Sequence, residues 1–216
     1  MTLQLVQKEI KEVYLGTTKV RPSWRLPSWY QEVEYIQSSG TQYIDSWFTP
    51  SNTTKVEWEM WWWTESWSHQ MFWVRYSWSS STWVSSDRWF AIVTDAYQYG
   101  WHWSITHWMT DWSIHTWELS QSWLYVDWAL KWTPSTVTFT CPGSLYLFWL
   151  NWNWSIAERA SLKYYSFKIY DNTTLIRDFV PCYRTSDNEI WLYDLVNDVF
   201  YTNSGSWTFT KWPDVD

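Results

Sequence analysis

Glycine is nearly missing from this chain: 5 residues of 216, where ordinary usage of about 7% would supply roughly 15. That scarcity excludes collagen-like and Gly/Pro-rich disordered chains. Cysteine is scarce too. Cys141 and Cys182 are the two present, too few for a disulfide framework or a zinc site; one bridge and two separate buried thiols both remain open. Long apolar runs are absent. No stretch approaches the roughly 20 residues of a membrane-spanning helix, and even Trp58 to Trp67 is broken by Glu59, Thr64 and Glu65. Residues 1–26 hold no apolar core of the length an export signal needs, so no signal peptide is expected. Positive charge is in short supply: 15 Lys and Arg stand against 22 Asp and Glu, for a net charge of −7. Residues 1–26 carry Lys8, Lys11, Lys19, Arg21 and Arg25 against Glu9 and Glu12, so the remainder is more acidic still. Such a chain lacks the electrostatic footprint of a nucleic-acid binder, and its basic start is too short and mixed in sign to serve as a nucleic-acid arm.

What is present in excess is tryptophan, 26 residues of 216. With 46% hydrophobic residues, the chain has enough apolar side chain to fold rather than stay disordered. Its length suits one globular domain with a short appendage.

Residues 1–26 read as that appendage. Gln4 to Tyr14 is expected as a short helix with Leu5, Ile10 and Val13 on one side. Gly16-Thr17-Thr18 then turns the chain, and Pro22 and Pro27 bracket a linker. From residue 27 the pattern changes to short β-type segments. Strands are expected near 33–36, 42–48, 54–60, 71–76, 88–93, 115–120, 123–128, 136–141, 144–150, 162–171, 174–180, 189–194 and 199–202. Lys55, Glu57 and Glu59 should face one way, with Val56, Trp58 and Met60 facing the other. Tyr165, Phe167 and Ile169 likewise alternate with Ser166, Lys168 and Tyr170. Many short strands at regular spacing specify an all-β sandwich or barrel over residues 27–216.

That fold needs tight turns, and only Gly16, Gly40, Gly100, Gly143 and Gly205 are on hand to make them. Tryptophan instead occupies the turn-like positions: Asp111-Trp112-Ser113, Ser122-Trp123, Asp127-Trp128, Asn151-Trp152-Asn153-Trp154-Ser155, Ser206-Trp207 and Lys211-Trp212-Pro213. With glycine in place of tryptophan each is a standard turn signal. Tryptophan belongs on the pleated surface of a strand. Holding a non-glycine residue in the left-handed region costs roughly 1–2 kcal/mol, so about ten such sites would rival the roughly 5–15 kcal/mol that stabilises a whole domain. A gene in which UGA encodes glycine, translated with a code in which UGA encodes tryptophan, produces both the excess and the deficit. The alternative is a protein that is truly Trp-rich.

Several stretches carry a family resemblance. They are Leu26-Pro27-Ser28-Trp29-Tyr30, Val33 to Asp45, Leu145-Tyr146-Leu147-Phe148, Lys168-Ile169-Tyr170-Asp171, Arg177 to Arg184, Leu192-Tyr193-Asp194 and Thr208-Phe209-Thr210. Through them residues 26–215 resemble a module of phage and prophage structural proteins with the concanavalin A-like lectin/glucanase fold, the jelly-roll β-sandwich also called LamG-like. The likeness is specific at both ends and weak from about Trp58 to Trp112. The family pattern has glycine at Trp29, Trp47, Trp73, Trp191, Trp207 and Trp212. Lys11 to Pro22 is similar to a short leader found before such modules. The resemblance implies a non-enzymatic tail or virion protein at the virion or bacterial cell surface, with a cell-surface glycan or other virion proteins as partners.

Catalytic chemistry has little to stand on. Glucanases of this fold carry a Glu-x-Asp-x-x-Glu type pattern on one strand, and glycoside hydrolysis needs two carboxylates across the sugar bond. Glu57 and Glu59 come nearest, with no Asp between them, and read equally well as a solvated strand face. His69, His102, His107 and His115 fit no metal template. Asp87, Asp95, Asp111 and Asp127 offer oxygen ligands for calcium, which some relatives of the fold bind, but no Asp-x-Asp-x-Asp-Gly loop exists. No cofactor, catalytic residue or metal ligand is therefore assigned. No phosphate loop arises, and Ser77 to Ser81 is a Ser-rich exposed loop. Trp61, Trp62, Trp63, Trp101 and Trp103, if real, would form a sugar-stacking platform; Tyr97, Tyr99 and Tyr125 fit interior or strand-face roles better. Asn52-Thr53-Thr54, Asn153-Trp154-Ser155 and Asn172-Thr173-Thr174 are formal glycosylation sequons. The expectation is a structural or adhesion module; the alternatives are a glycan-active hydrolase of the same fold and a Trp-rich carbohydrate binder.

Overall fold

A computed structural model describes residues 13–15, 18–20, 25–62, 70–76, 88–93, 96–100, 102–105, 113–134, 138–141, 143–152, 155–159 and 161–215. The regular structure among those residues is almost entirely β. In chain order the strands are β1 (Val13–Leu15), β2 (Thr18–Val20), β3 (Tyr30–Gln37), β4 (Ile44–Asp45), β5 (Thr54–Trp62), β6 (Gln70–Tyr76), β7 (Arg88–Val93), β8 (Ala96–Gly100), β9 (His102–Ile105) and β10 (Ile114–Leu119). They continue with β11 (Leu124–Val126), β12 (Ala129–Trp132), β13 (Tyr146–Leu147), β14 (Trp149–Trp152), β15 (Ser155–Arg159), β16 (Leu162–Asp171), β17 (Thr174–Arg184), β18 (Ile190–Asp194), β19 (Val199–Tyr201) and β20 (Thr210–Asp214).

A ten-stranded sheet runs β12-β11-β10-β5-β16-β3-β17-β18-β19, with β20 paired to β3; all its pairings are antiparallel. An eight-stranded sheet runs β15-β14-β6-β7-β8-β9, with β13 between β4 and β6. Strands β1 and β2 pair by themselves. Alternation places the core. Along β5, Val56, Trp58 and Met60 are buried while Lys55, Glu57 and Glu59 stay half-exposed, as their polarity demands. In β16 a register shift between Tyr164 and Ser166 lets Tyr164 and Tyr165 both be buried, because a bulge interrupts the two-residue repeat.

Side chains from both large sheets meet in one core. Trp58 of β5 lies edge-on to Phe72 of β6 (4.9 Å between ring centres) and stacks on Trp117 of β10 (5.5 Å, 11°). Burying each such side chain contributes about 2 kcal/mol or more. A smaller cluster of Leu26, Val180, Cys182 and Tyr193 covers the other face of the ten-stranded sheet near β17 and β18. Phe179 of β17 belongs to the main core and its neighbour Val180 to this cluster, so β17 is buried on both faces there.

The structure corrects several expectations. Val13 and Tyr14, assigned to a helix, lie in β1, whose register pairs Val13 with Val20 and Leu15 with Thr18; residues 4–12 of that helix lie outside the described residues. In 42–48 only Ile44–Asp45 is strand. In 136–141 the described residues make a single bridge, Thr140 to Ser51. The run 144–150 divides at Phe148, whose φ of 74° reverses the chain. Tyr146 therefore pairs antiparallel with Trp73, and Leu150 pairs parallel with the same residue. Strands β2, β8, β9, β12, β15 and β20 were not anticipated, and Trp152 and Trp212, expected in turns, lie in β14 and β20. Cys141 and Cys182 are both buried and form no disulfide. Gly205 is needed where it stands: a Cβ there would collide with the Thr41 carbonyl oxygen.

Candidate functional site

Register assembles a polar cluster on the outer face of the ten-stranded sheet. Glu57 of β5 lies directly opposite Glu118 of β10 on one side and Lys168 of β16 on the other. Two carboxylates at opposed positions repel, and Lys55 relieves this: its Nζ is 2.5 Å from Glu57 and 3.9 Å from Glu118. The same ammonium sits 4.0 Å above the Tyr170 ring, an attraction between a cation and an aromatic face. Tyr170 donates its hydroxyl hydrogen to Glu57 (3.0 Å), and the Trp123 indole donates to Glu118 (2.5 Å). Burial first, then the Glu57 charge and hydrogen bond, pushes the Tyr170 phenol well above its ordinary pKa.

Lys55, Trp123 and Tyr170 of this cluster line a cleft of about 350 Å³ together with Asn52, Gln121, Asn172 and Thr173 among others. Three turns frame it, and each is tied down. Tyr99 donates to the carbonyls of Asn52 (3.0 Å) and Thr54 (2.8 Å). The Asn172 amide donates to the Thr53 carbonyl (2.8 Å), joining the turn before β5 to the turn between β16 and β17. Ser120 Oγ accepts from the amides of Ser122 and Trp123, both at 3.2 Å. The rim is therefore preorganised. It presents amides, hydroxyls and aromatic faces, the groups that recognise neutral polyhydroxylated ligands.

The structure separates the candidates read from the sequence. Glu57 joins the cluster, but its carboxylate neighbour is Glu118; Glu59 lies opposite Thr116 and Ser166 instead. His115 Nδ1 is 2.6 Å from Asp127 Oδ2. His102 and Trp103 lie in β9, and Tyr97 in β8. His69, His107, Asp87, Asp95, Asp111, Trp63, Trp101, Asn153 and Ser77 to Ser81 lie outside the described residues. Among the described residues no group of three or more His, Cys, Asp or Glu side chains is placed to hold a metal. Of the five tryptophans offered as a platform, Trp61 is half-buried beneath Lys163, 4.5 Å away. Tyr99 is fully buried, in the interior role its sequence context favoured. Asn52 and Asn172, two of the sequon asparagines, come together at the cleft. Sequence reasoning missed Glu118, Tyr170 and Gln121. Tyr170 had the right parity on its strand, but only register could place it beside Lys55. No family model, curated protein or solved structure matches the chain.

A second hollow, about 230 Å³, lies beside Asp45, Trp47 and Tyr201. Asp45 Oδ1 there accepts the Trp47 amide at 2.8 Å, a local turn bond. Tyr146 is pushed up to about 12 by burial first and then by the Asp45 and Tyr43 charges.

Proposed function

We propose that this chain is a non-enzymatic structural or adhesion module of a phage-type particle, a jelly-roll β-sandwich whose polar cleft engages a neutral cell-surface glycan. Residues 1–26 attach it to other virion proteins. The observation that carries the reading is the cleft rim: three pinned turns, two of them joined by the Asn172–Thr53 bond, presenting Asn52, Gln121, Asn172 and Thr173 beside the Trp123 and Tyr170 side chains. Rigid amides and hydroxyls with an aromatic wall suit a sugar ring, which offers hydroxyls at its edge and C–H groups on its faces. The resemblance at both ends of the domain supports the same assignment, and fold analogy adds the particle context.

The same geometry argues against the hydrolase alternative. A glycosidase needs one protonated carboxyl and one available carboxylate flanking a sugar. Here Lys55 and Tyr170 engage Glu57, and Trp123 engages Glu118.

Glycan-array binding with the full chain tests the proposal. Neutral oligosaccharides should bind, and Gln121→Ala and Thr173→Ala should each weaken binding about fivefold, as for loss of one hydrogen bond of about 1 kcal/mol. Binding unaffected by either variant, or none across the array, overturns the proposal. Release of reducing sugar from any bound glycan would replace it with the hydrolase reading.

A further inference from the structure

Three tryptophans occupy backbone positions that suit glycine. Trp47, Trp128 and Trp207 have φ of 51°, 66° and 64°, in the left-handed region that L-residues with a Cβ avoid. Among the described residues, four of the other five non-glycine positions of this kind are Asp127, Asn172, Asn188 and Asp198, whose short polar side chains tolerate it. The fifth, Phe148, is fully buried, and packing on Tyr164 and Phe209 holds it. Nothing comparable holds the three tryptophans: they are 74%, 85% and 81% exposed. Strained conformers persist where surroundings over-determine them, and here only the backbone is specified.

The 127–128 turn is the clearest case. Val126 pairs with Ala129, so Asp127-Trp128 is a two-residue hairpin loop. Both φ values are positive, 48° and 66°, which is the type I′ turn, favouring Asp-Gly or Asn-Gly. At 207 the contact is again to main chain: Asn203 Nδ2 donates to the Trp207 carbonyl at 2.6 Å. At 47 Asp45 accepts the backbone amide. At 47 and 207 the hydrogen bonds engage the peptide, and in all three turns the indole extends into solvent. The composition points the same way, with 26 tryptophans against 5 glycines.

We infer that the codons behind Trp47, Trp128 and Trp207 are UGA codons read as glycine in the organism that makes this protein, so that the natural chain carries glycine at these turns. The exposed indoles at these sites are then no ligand surface. The glycan reading is independent of this, since Asn52, Gln121, Tyr170, Asn172 and Thr173 keep their identities.

Fragment-ion mass spectrometry of peptides spanning the three positions, from protein isolated from its natural source, decides the matter. Glycine at all three is the expected result; tryptophan at any one overturns it. A second measurement uses the recombinant chain. The triple variant Trp47→Gly, Trp128→Gly, Trp207→Gly should melt several degrees above its parent. An equal or lower melting temperature, or failure to fold, counts against the inference.

Discussion

Tyr170 donates its phenol hydrogen to Glu57 Oε2 at 3.0 Å from the neighbouring strand, while Lys55 holds the other Glu57 oxygen and covers the tyrosine ring. Tyr170→Phe keeps the ring under Lys55 and removes only the hydroxyl. The expected loss is about 1 kcal/mol of unfolding free energy, measured by urea denaturation at pH 7. An unchanged denaturation midpoint would show that the bond contributes nothing net.

The tyrosines set the alkaline limit of stability. Burial raises Tyr164, and burial with nearby carboxylates raises Tyr165 and Tyr193 to about 12. In the unfolded chain these phenols titrate near 10. A group whose folded pKa is raised stabilises fully below its unfolded pKa and loses that contribution as pH rises toward the folded value. Denaturation midpoints should hold level up to about pH 8, begin to fall as the Cys182 thiol ionises in the unfolded chain, and fall steadily above about pH 10. A flat profile to pH 12 would contradict the burial of these hydroxyls.

Asp127 sets part of the acid limit. Slight burial pushes its carboxyl up, but hydrogen bonds from His115 and the Thr116 amide and the His115 charge outweigh this and hold it below the ordinary range. Its contribution is present above the unfolded pKa and lost as pH falls through the lower, folded one. The side chain is 51% exposed, so solvent screening limits the effect to on the order of 0.5 kcal/mol. Asp127→Asn, which suits the left-handed backbone equally well, should destabilise slightly at pH 6 and match its parent near pH 2.

Asp194 has no solvent exposure and organises the turn after β18. It accepts the amides of Asp178 and Val196, both at 3.0 Å, and Asn197 Nδ2 at 2.6 Å, with Arg177 Nε 3.5 Å away. Asp194→Ala would orphan these donors and should cost about 3–5 kcal/mol, read as a large drop in melting temperature. A loss under 1 kcal/mol would mean water replaces the carboxylate.

The cysteines should be inert in the folded protein. Burial, then the Glu32 charge, pushes the Cys182 thiol far above its ordinary range, and thiolate is the reactive form. Neither Cys141 nor Cys182 should react with a thiol reagent at pH 8 until denaturant is added, when both should. Fast labelling of the native chain would refute their burial.

The all-β class and most strands of the ten-stranded sheet could be read from sequence, because a half-buried strand repeats every two residues. Lys55 to Met60 and Phe167 to Tyr170 carried that repeat plainly. The tryptophan excess was also a property of the sequence alone, as was its conflict with turn-making. Tertiary structure decided the rest. Whether Glu57 would meet Glu59 or Glu118 depended on which strand paired with β5 and in what register, and alternation within one strand carries no information about its neighbour. The cleft joins turns at residues 52, 121 and 172, far apart in the chain and adjacent only because β5 lies between β10 and β16. Positive φ at Trp47, Trp128 and Trp207 was likewise visible only in the folded chain; at Trp128 it follows from closing the β11–β12 hairpin, where pairing strands force the chain to reverse.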